Sequence, residues 1–219
     1  MMKWLLILLV STGCFAQRPL ELILDSIKTD NSNPESRTFH LSYHITNNTN
    51  KPATFFLRTD HIVPVVASSM SHCPHYKLYQ NGNSVDVSGI FSVPNSRNLT
   101  HEQHLKLQDS LREISSNPET WKKRMSESIT KSKTTLAAGE TRSFKIDLRW
   151  DRKRFQKNDE NDYYLEPDGK FELELSMHLM RDELVNRMTA NDYELALKDP
   201  DFIKGWFTSN RLPVDLSGQ

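Results

Sequence analysis

The side chains best suited to chemistry cluster at His72-Cys73-Pro74-His75, where imidazole and thiol groups that bind zinc or copper lie close together. A proline inside so short a loop limits how many of these side chains can converge on one ion. Structural zinc sites also usually draw their ligands from two spaced pairs. Two interpretations follow: a metal site formed by His72, Cys73 and His75, or a loop around a partly buried cysteine. The sequence predicts no other cofactor.

Two further patterns resemble metal or catalytic motifs in composition but not in spacing. His101 and His104 lie three residues apart on either side of Glu102, whereas a zinc metalloprotease helix requires histidines four residues apart. The acidic run 158–162 lacks the alternating carboxylates and central glycine of an EF-hand loop. The sequence also contains no Gly-x-Ser-x-Gly motif for a nucleophilic serine. We therefore predict that the protein is not an enzyme.

Residues 1–16 have the charged, apolar and small-residue regions of a secretory signal peptide: Lys3, then Trp4 to Val10, then a stretch that ends at Ala16. Cleavage after Ala16 would release a soluble protein. Cleavage before Cys14 would give a lipid-anchored protein instead, since the residues around Cys14 resemble a bacterial lipobox. An uncleaved anchor is the third alternative. We therefore predict an extracytoplasmic protein, secreted or periplasmic, which meets the membrane only if it is lipidated at Cys14.

Composition excludes several classes of protein. Lys+Arg and Asp+Glu each number 28, so no excess of positive charge is present to bind the phosphates of a nucleic acid. No apolar run is long enough to span a bilayer, so the mature chain is predicted to have no transmembrane span. Only Cys73 remains after cleavage at Ala16, which rules out an internal disulfide. With 37% hydrophobic residues in the chain, 17–219 is predicted to be one domain that its core must hold together.

Alternating apolar and polar residues predict that most of the chain is β-strand. This period of two runs through Phe39–Ile45, Phe144–Trp150 and Phe171–Leu179. Asn81-Gly82 lies between two shorter runs and predicts a tight hairpin, because both residues accept positive φ angles. One apolar face per strand predicts two packed antiparallel sheets, that is, a β-sandwich.

Two segments have a helical period and are predicted to be insertions in this sandwich, at about 100–131 and 189–204. In the first, Trp121, Met125 and Ile129 form an apolar stripe along one helix face. The stripe either packs against the sandwich or binds a partner macromolecule. If it binds a partner, replacing the three residues with Ala abolishes binding and leaves the fold intact. If it packs on the sandwich, the same change lowers stability.

Three landmarks carry a resemblance to a known family. They are the alternating strand that enters the turn 46–52, the turn 136–140 before the strand that ends at Trp150, and 167–171 before the longest strand. In this order they resemble bacterial extracytoplasmic immunoglobulin-like domains, including those similar to BsuPI-type proteinase inhibitors. The resemblance implies an immunoglobulin-like antiparallel β-sandwich, here with two helical insertions, and raises proteinase inhibition as a possible activity.

The functional prediction is a secreted or envelope-attached binding or accessory protein whose partner is another envelope or extracellular macromolecule. A rigid sandwich that presents loops and a helical insertion suits binding better than catalysis. Two alternatives stay open at this point: a proteinase inhibitor, and a metal-binding envelope protein that uses His72, Cys73 and His75.

Overall fold

The computed structural model describes residues 18–34, 36–65, 72–85, 100–151 and 169–216. The predicted signal peptide 1–16, with Cys14, and the acidic run 158–162 lie outside these residues. The described strands, in chain order, are β1 (Leu20–Asp30), β2 (Ser36–Asn47), β3 (Ala53–Phe56), β4 (Val63–Pro64), β5 (Pro74–Gln80), β6 (Asn83–Val85), β7 (Lys133–Leu136), β8 (Thr141–Asp151), β9 (Phe171–Leu179) and β10 (Gly205–Pro213). The described helices are α1 (His101–Ser116), α2 (Pro118–Lys131) and α3 (Ala190–Lys198), and a 3₁₀ helix, Arg181–Leu184, precedes α3. The protein is therefore mainly β, with helices in both predicted insertions.

The strands form two larger sheets and one small one. The three-stranded sheet has the order β1-β2-β8, with antiparallel neighbours. The five-stranded sheet has the order β10-β9-β5-β4, and β6 also pairs with β5. The β3 and β7 strands pair on either side of the α1–α2 hairpin. The Asn81-Gly82 hairpin between β5 and β6 is confirmed, with φ angles of 50° and 81°.

The two larger sheets share one hydrophobic core. On β2 the apolar positions from Phe39 to Ile45 are all at most 1% exposed. From the other sheet, Leu173, Leu175 and Met177 of β9 enter the same cluster. Each such side chain contributes about 1.5–3 kcal/mol when it is removed from water. The period of two in the sequence therefore correctly identifies the buried face of each of these strands.

The two larger sheets are joined where β1 lies next to β10, and the side-chain amide of Asn210 connects them. Its Oδ1 accepts a hydrogen bond from the Leu24 amide at 2.9 Å, and its Nδ2 donates to the Leu24 carbonyl at 3.1 Å. Both strands are irregular at this point: the β1 register shifts just after Leu24, and the β10 register shifts between Thr208 and Arg211. The side-chain amide of Asn210 thus connects the backbone of β1 to β10. We call this junction the closed seam.

The helices cover a second, smaller hydrophobic cluster. Asn117 accepts a hydrogen bond from the Thr120 amide and starts α2. The buried members of the cluster come from β3, α2, α3 and the segments beside α3: Phe56, Ile129, Leu184, Met188, Ala196 and Phe202. Ile129 is 0% exposed, Met125 packs against the cluster, and Trp121 is half-buried. On α2, Ile129 is therefore part of this cluster and Met125 packs against it, while Trp121 and Met125 both keep some exposure.

A polar contact fixes α2 to the start of α3. The Ser126 hydroxyl donates to Asp192 Oδ2 at 2.5 Å and accepts from the Thr189 amide at 3.0 Å. Thr189 also caps α3 by accepting from the Asp192 amide. No helix in the described part of the chain is both long enough and apolar enough to cross a membrane.

We expect Asn210→Ala to lower the free energy of unfolding by about 1–3 kcal/mol, because it leaves the Leu24 amide and carbonyl without partners at the closed seam. Urea unfolding followed by circular dichroism measures the loss. Asn191→Ala, at an exposed asparagine of α3, is the matched control and should change stability by less than about 0.5 kcal/mol. Equal effects of the two changes would show that Asn210 does not connect the sheets.

We expect Ile129→Ala to cost about 2–5 kcal/mol, because it opens a cavity in the second cluster. The control is Leu111→Ala on α1, where the side chain is 55% exposed and truncation should cost little. Thermal unfolding of the two variants separates the alternatives for the stripe. An Ile129→Ala protein as stable as the wild type would contradict its place in the core.

Candidate functional site

A cleft of about 620 Å³ lies between β8 and the segment that leads into β4. One wall is formed by residues 59–62 and the other by five successive residues of β8, 145–149. We call it the β8 cleft. Its volume lies within the range of about 300–1,000 Å³ that is typical of ligand sites.

The β8 cleft follows the edge of a strand. Successive side chains of a strand point to opposite faces, so five consecutive residues can line one cavity only along the strand's edge. Ile146 and Leu148 are buried in the core, whereas Lys145, Asp147 and Arg149 are exposed on the outer face. On one side β8 pairs with β2, and within the described ranges no strand pairs with its other side. Among the described residues this edge of β8 is therefore open, and we call it the open seam, opposite the closed seam.

The carboxylates of the β8 cleft already have partners. Arg58 donates to both carboxylate oxygens of Asp60, at 3.0 and 2.9 Å, and this hydrogen bonding lowers the Asp60 pKa. His40 Nδ1 lies 2.8 Å from Asp147 Oδ1 across the β2–β8 pair. Both pairs are at the surface, so they contribute little to stability but fix where the charges lie.

The cationic side chains of the cleft are not paired. Neither Lys145 nor Arg149 forms an ion pair with any residue of the described ranges. They stand two residues on either side of Asp147 on the same face of β8, about 13 Å apart along the strand. The outer rim of the cleft is thus positive at both ends and negative in the middle. His61 lies in the opposite wall of the cleft. Its pKa is lowered because burial removes the ring from water and because the positive charge of Arg58 is nearby.

The predicted metal ligands lie elsewhere, at the start of β5. His72, Cys73 and His75 are all buried, with exposures of 1%, 2% and 0%. Burial raises the pKa of the Cys73 thiol to about 11, so the thiolate that a metal requires is disfavoured. No three His, Cys, Asp or Glu side chains converge closely enough to hold a metal ion in the part of the chain that the structure describes. Metal binding by these residues stays a prediction, which metal analysis of the purified protein tests.

The structure places His75 in a stack of three rings that crosses the five-stranded sheet. The His75 and His178 ring centroids are 4.2 Å apart, and those of His178 and Trp206 are 3.6 Å apart. His178 and Trp206 are direct neighbours across β9 and β10. His178 alternates with the core residues Met177 and Leu179 of β9 and lies on the opposite face, yet it is only 5% exposed because it lies between the other two rings.

The imidazoles of this region are held in the neutral form. No ring nitrogen of His72 or His75 has a hydrogen-bond partner in the described residues. The backbone of Cys73 lies near the His75 ring and tends to raise the pKa of His75, although the two groups do not form a hydrogen bond. Burial is the largest cause that lowers the pKa of His72, His75 and His178 to about 4.

The three predicted partner-binding residues do not line the β8 cleft. Trp121, Met125 and Ile129 belong to α2, and none is among the residues of the cleft walls. Binding of a partner through this stripe stays a prediction, and only Trp121 and Met125 keep some exposure to serve it. Sequence reasoning did not select Lys145 and Arg149. The sequence shows that they alternate with apolar residues, but no local pattern marks β8 as an edge strand.

No protein-family model matches this chain, and no curated protein matches it.

We expect acid to destabilise the fold between about pH 6.5 and pH 4. Unfolded histidines take up protons near pH 6.5, whereas His72, His75 and His178 resist protonation in the folded protein until about pH 4. The unfolded state therefore binds more protons in this window, so stability falls as the pH falls. Melting temperatures measured from pH 7 to pH 4 should decline along this window.

His75→Phe keeps a ring in the stack and removes one titrating group, so its melting temperature should depend less on pH. Tyr79→Phe is the control in the same strand, since neither side chain titrates in this range. A pH slope that is the same for all three proteins would show that His75 is not buried as a neutral ring.

Proposed function

We propose that this chain is a secreted or envelope-attached binding protein, built as an immunoglobulin-like β-sandwich, that holds another macromolecule in the β8 cleft. The observation that carries the proposal is the open seam: a core strand whose edge has no partner strand among the described residues and lines a cleft between two cations that form no ion pair with those residues. An open strand edge invites pairing with another chain, and proteins otherwise cover or shorten such edges. Here the edge lies beside a cleft of the size of a binding site.

The charges of the cleft favour binding over catalysis. Asp60 and Asp147 are each paired with a neighbouring side chain, which leaves neither poised as an acid or base for a substrate. The cationic pair of Lys145 and Arg149 lies on a strand, so its spacing is fixed by the sheet. A rigid row of charges beside an exposed backbone suits recognition of a partner.

We expect Thr59→Trp to abolish partner capture, because the indole fills the β8 cleft from its exposed wall. The experiment is an affinity pull-down from envelope extracts of the native host, with the chain from Gln17 as bait. Thr130→Trp, at an exposed threonine of α2, is the matched control and should retain the partner. A protein captured by all three baits alike would refute the cleft as the binding site.

The identity of the captured protein also decides the inhibitor alternative. If it is a protease, the wild-type chain should slow it at a stoichiometric ratio and Thr59→Trp should not.

A further inference from the structure

We infer that the β8 cleft binds an extended, acidic polypeptide segment that joins the three-stranded sheet as a strand beside β8. The inference rests on the proposed function and adds the class of partner and its mode of binding. It is carried by two independent features of the cleft: the free backbone edge of β8 and the spacing of the unpaired cations.

The backbone edge fixes the shape and length of the partner. Alternate residues of β8 hydrogen-bond to β2, so the other residues between Lys145 and Arg149 direct their amide and carbonyl groups in an extended row toward the cleft, where none of the described strands pairs with them. Only an extended segment can hydrogen-bond to successive groups of such a row, as in recognition by strand addition. At about 3.3 Å per residue, the row spans about 13 Å and matches a segment of about five residues.

The side chains of β8 fix the charge pattern of the partner. In an antiparallel pair the residues opposite Lys145 and Arg149 lie on the outer face, where acidic side chains are favoured. The residue opposite Asp147 lies between them, and an acidic group there is disfavoured. The two intervening positions face the core beside the buried Ile146 and Leu148 and suit apolar residues. The five successive residues of the partner segment are thus expected to be acidic, apolar, neutral, apolar and acidic.

A second copy of this chain is a poorer occupant than an acidic segment. When two β8 edges pair antiparallel about Asp147, Lys145 of one copy lies opposite Arg149 of the other. Like charges directly opposite each other destabilise a strand pair. The same pairing also brings the two Asp147 carboxylates together. The charges on β8 therefore disfavour self-pairing centred on the cleft.

The test uses a fluorescently labelled peptide, Glu-Val-Thr-Val-Glu with Gly-Ser flanks, titrated with the chain from Gln17 and followed by anisotropy. Its controls are Lys-Val-Thr-Val-Lys, a peptide with proline at positions 2 and 4, and a peptide with proline at position 3. We expect the acidic peptide to bind and the basic one to bind at least about tenfold more weakly. At least one proline peptide must lose binding, because alternate amides of an added strand donate to β8.

The double change Lys145→Glu and Arg149→Glu should weaken the acidic peptide about tenfold and strengthen the basic one. Both side chains are exposed, so circular dichroism and thermal unfolding should be unchanged. Lys28→Glu is the control, since Lys28 is exposed on β1 of the same sheet, outside the cleft. It should bind both peptides as the wild type does.

Several results would overturn the inference. Equal binding of the acidic and basic peptides would exclude charge recognition, and undiminished binding of both proline peptides would exclude strand addition. A dimer in sedimentation velocity that Thr59→Trp abolishes would identify a second copy as the occupant. If no peptide binds but Thr59→Trp still abolishes partner capture, the inference fails and the proposed function stands. If Thr59→Trp also captures the partner, both fail.

Discussion

The bidentate contact between Asn210 and the Leu24 backbone is the junction on which the arrangement of the two sheets depends. Both strands have an irregularity at this point, β1 in its pairing with β2 and β10 in its pairing with β9. Ser209 supports the junction, since its hydroxyl accepts from the Leu175 amide in the same irregular stretch. Two adjacent side chains thus hydrogen-bond to backbone groups that the bulge leaves unpaired. Once β1 and β10 are joined, the strands at the opposite edges, β8 and β4, flank the other side of the shared core.

The sheet fixes the backbone positions of the open seam and of the charges beside it, and the proposed binding function rests on this arrangement. The core holds β8 through Ile146 and Leu148, and the same strand geometry places Lys145, Asp147 and Arg149 on the outer face. His40 on the neighbouring strand contacts Asp147, while Arg58 holds Asp60 on the opposite wall. Because these pairs already involve the two carboxylates, the positive charges of Lys145 and Arg149 would be available to a partner. The sheet sets the backbone positions of these two cations, so only their side chains would lose conformational freedom when a partner binds.

The helices and the buried histidines contribute to the packing of the molecule. Ile129 completes a second cluster that attaches α2 to β3 and α3, and the Ser126–Asp192 contact orients the same helices. The stack of His75, His178 and Trp206 packs on the face of the five-stranded sheet that points away from the shared core. Its neutral rings couple the stability of this region to pH, because burial disfavours their charged form.

The sequence by itself determined the elements and their buried faces. Alternation marked the core side of β2 and β9, and Asn81-Gly82 marked the hairpin. These features depend on backbone sterics and on the period of a few neighbouring residues, which are local in the chain. Tertiary structure alone decided the order of the strands, the bulge after Leu24, the burial of His178 and the open edge of β8. Each of these depends on contacts between segments that are far apart in sequence, such as Leu24 with Asn210, and no local pattern records which strand remains without a neighbour.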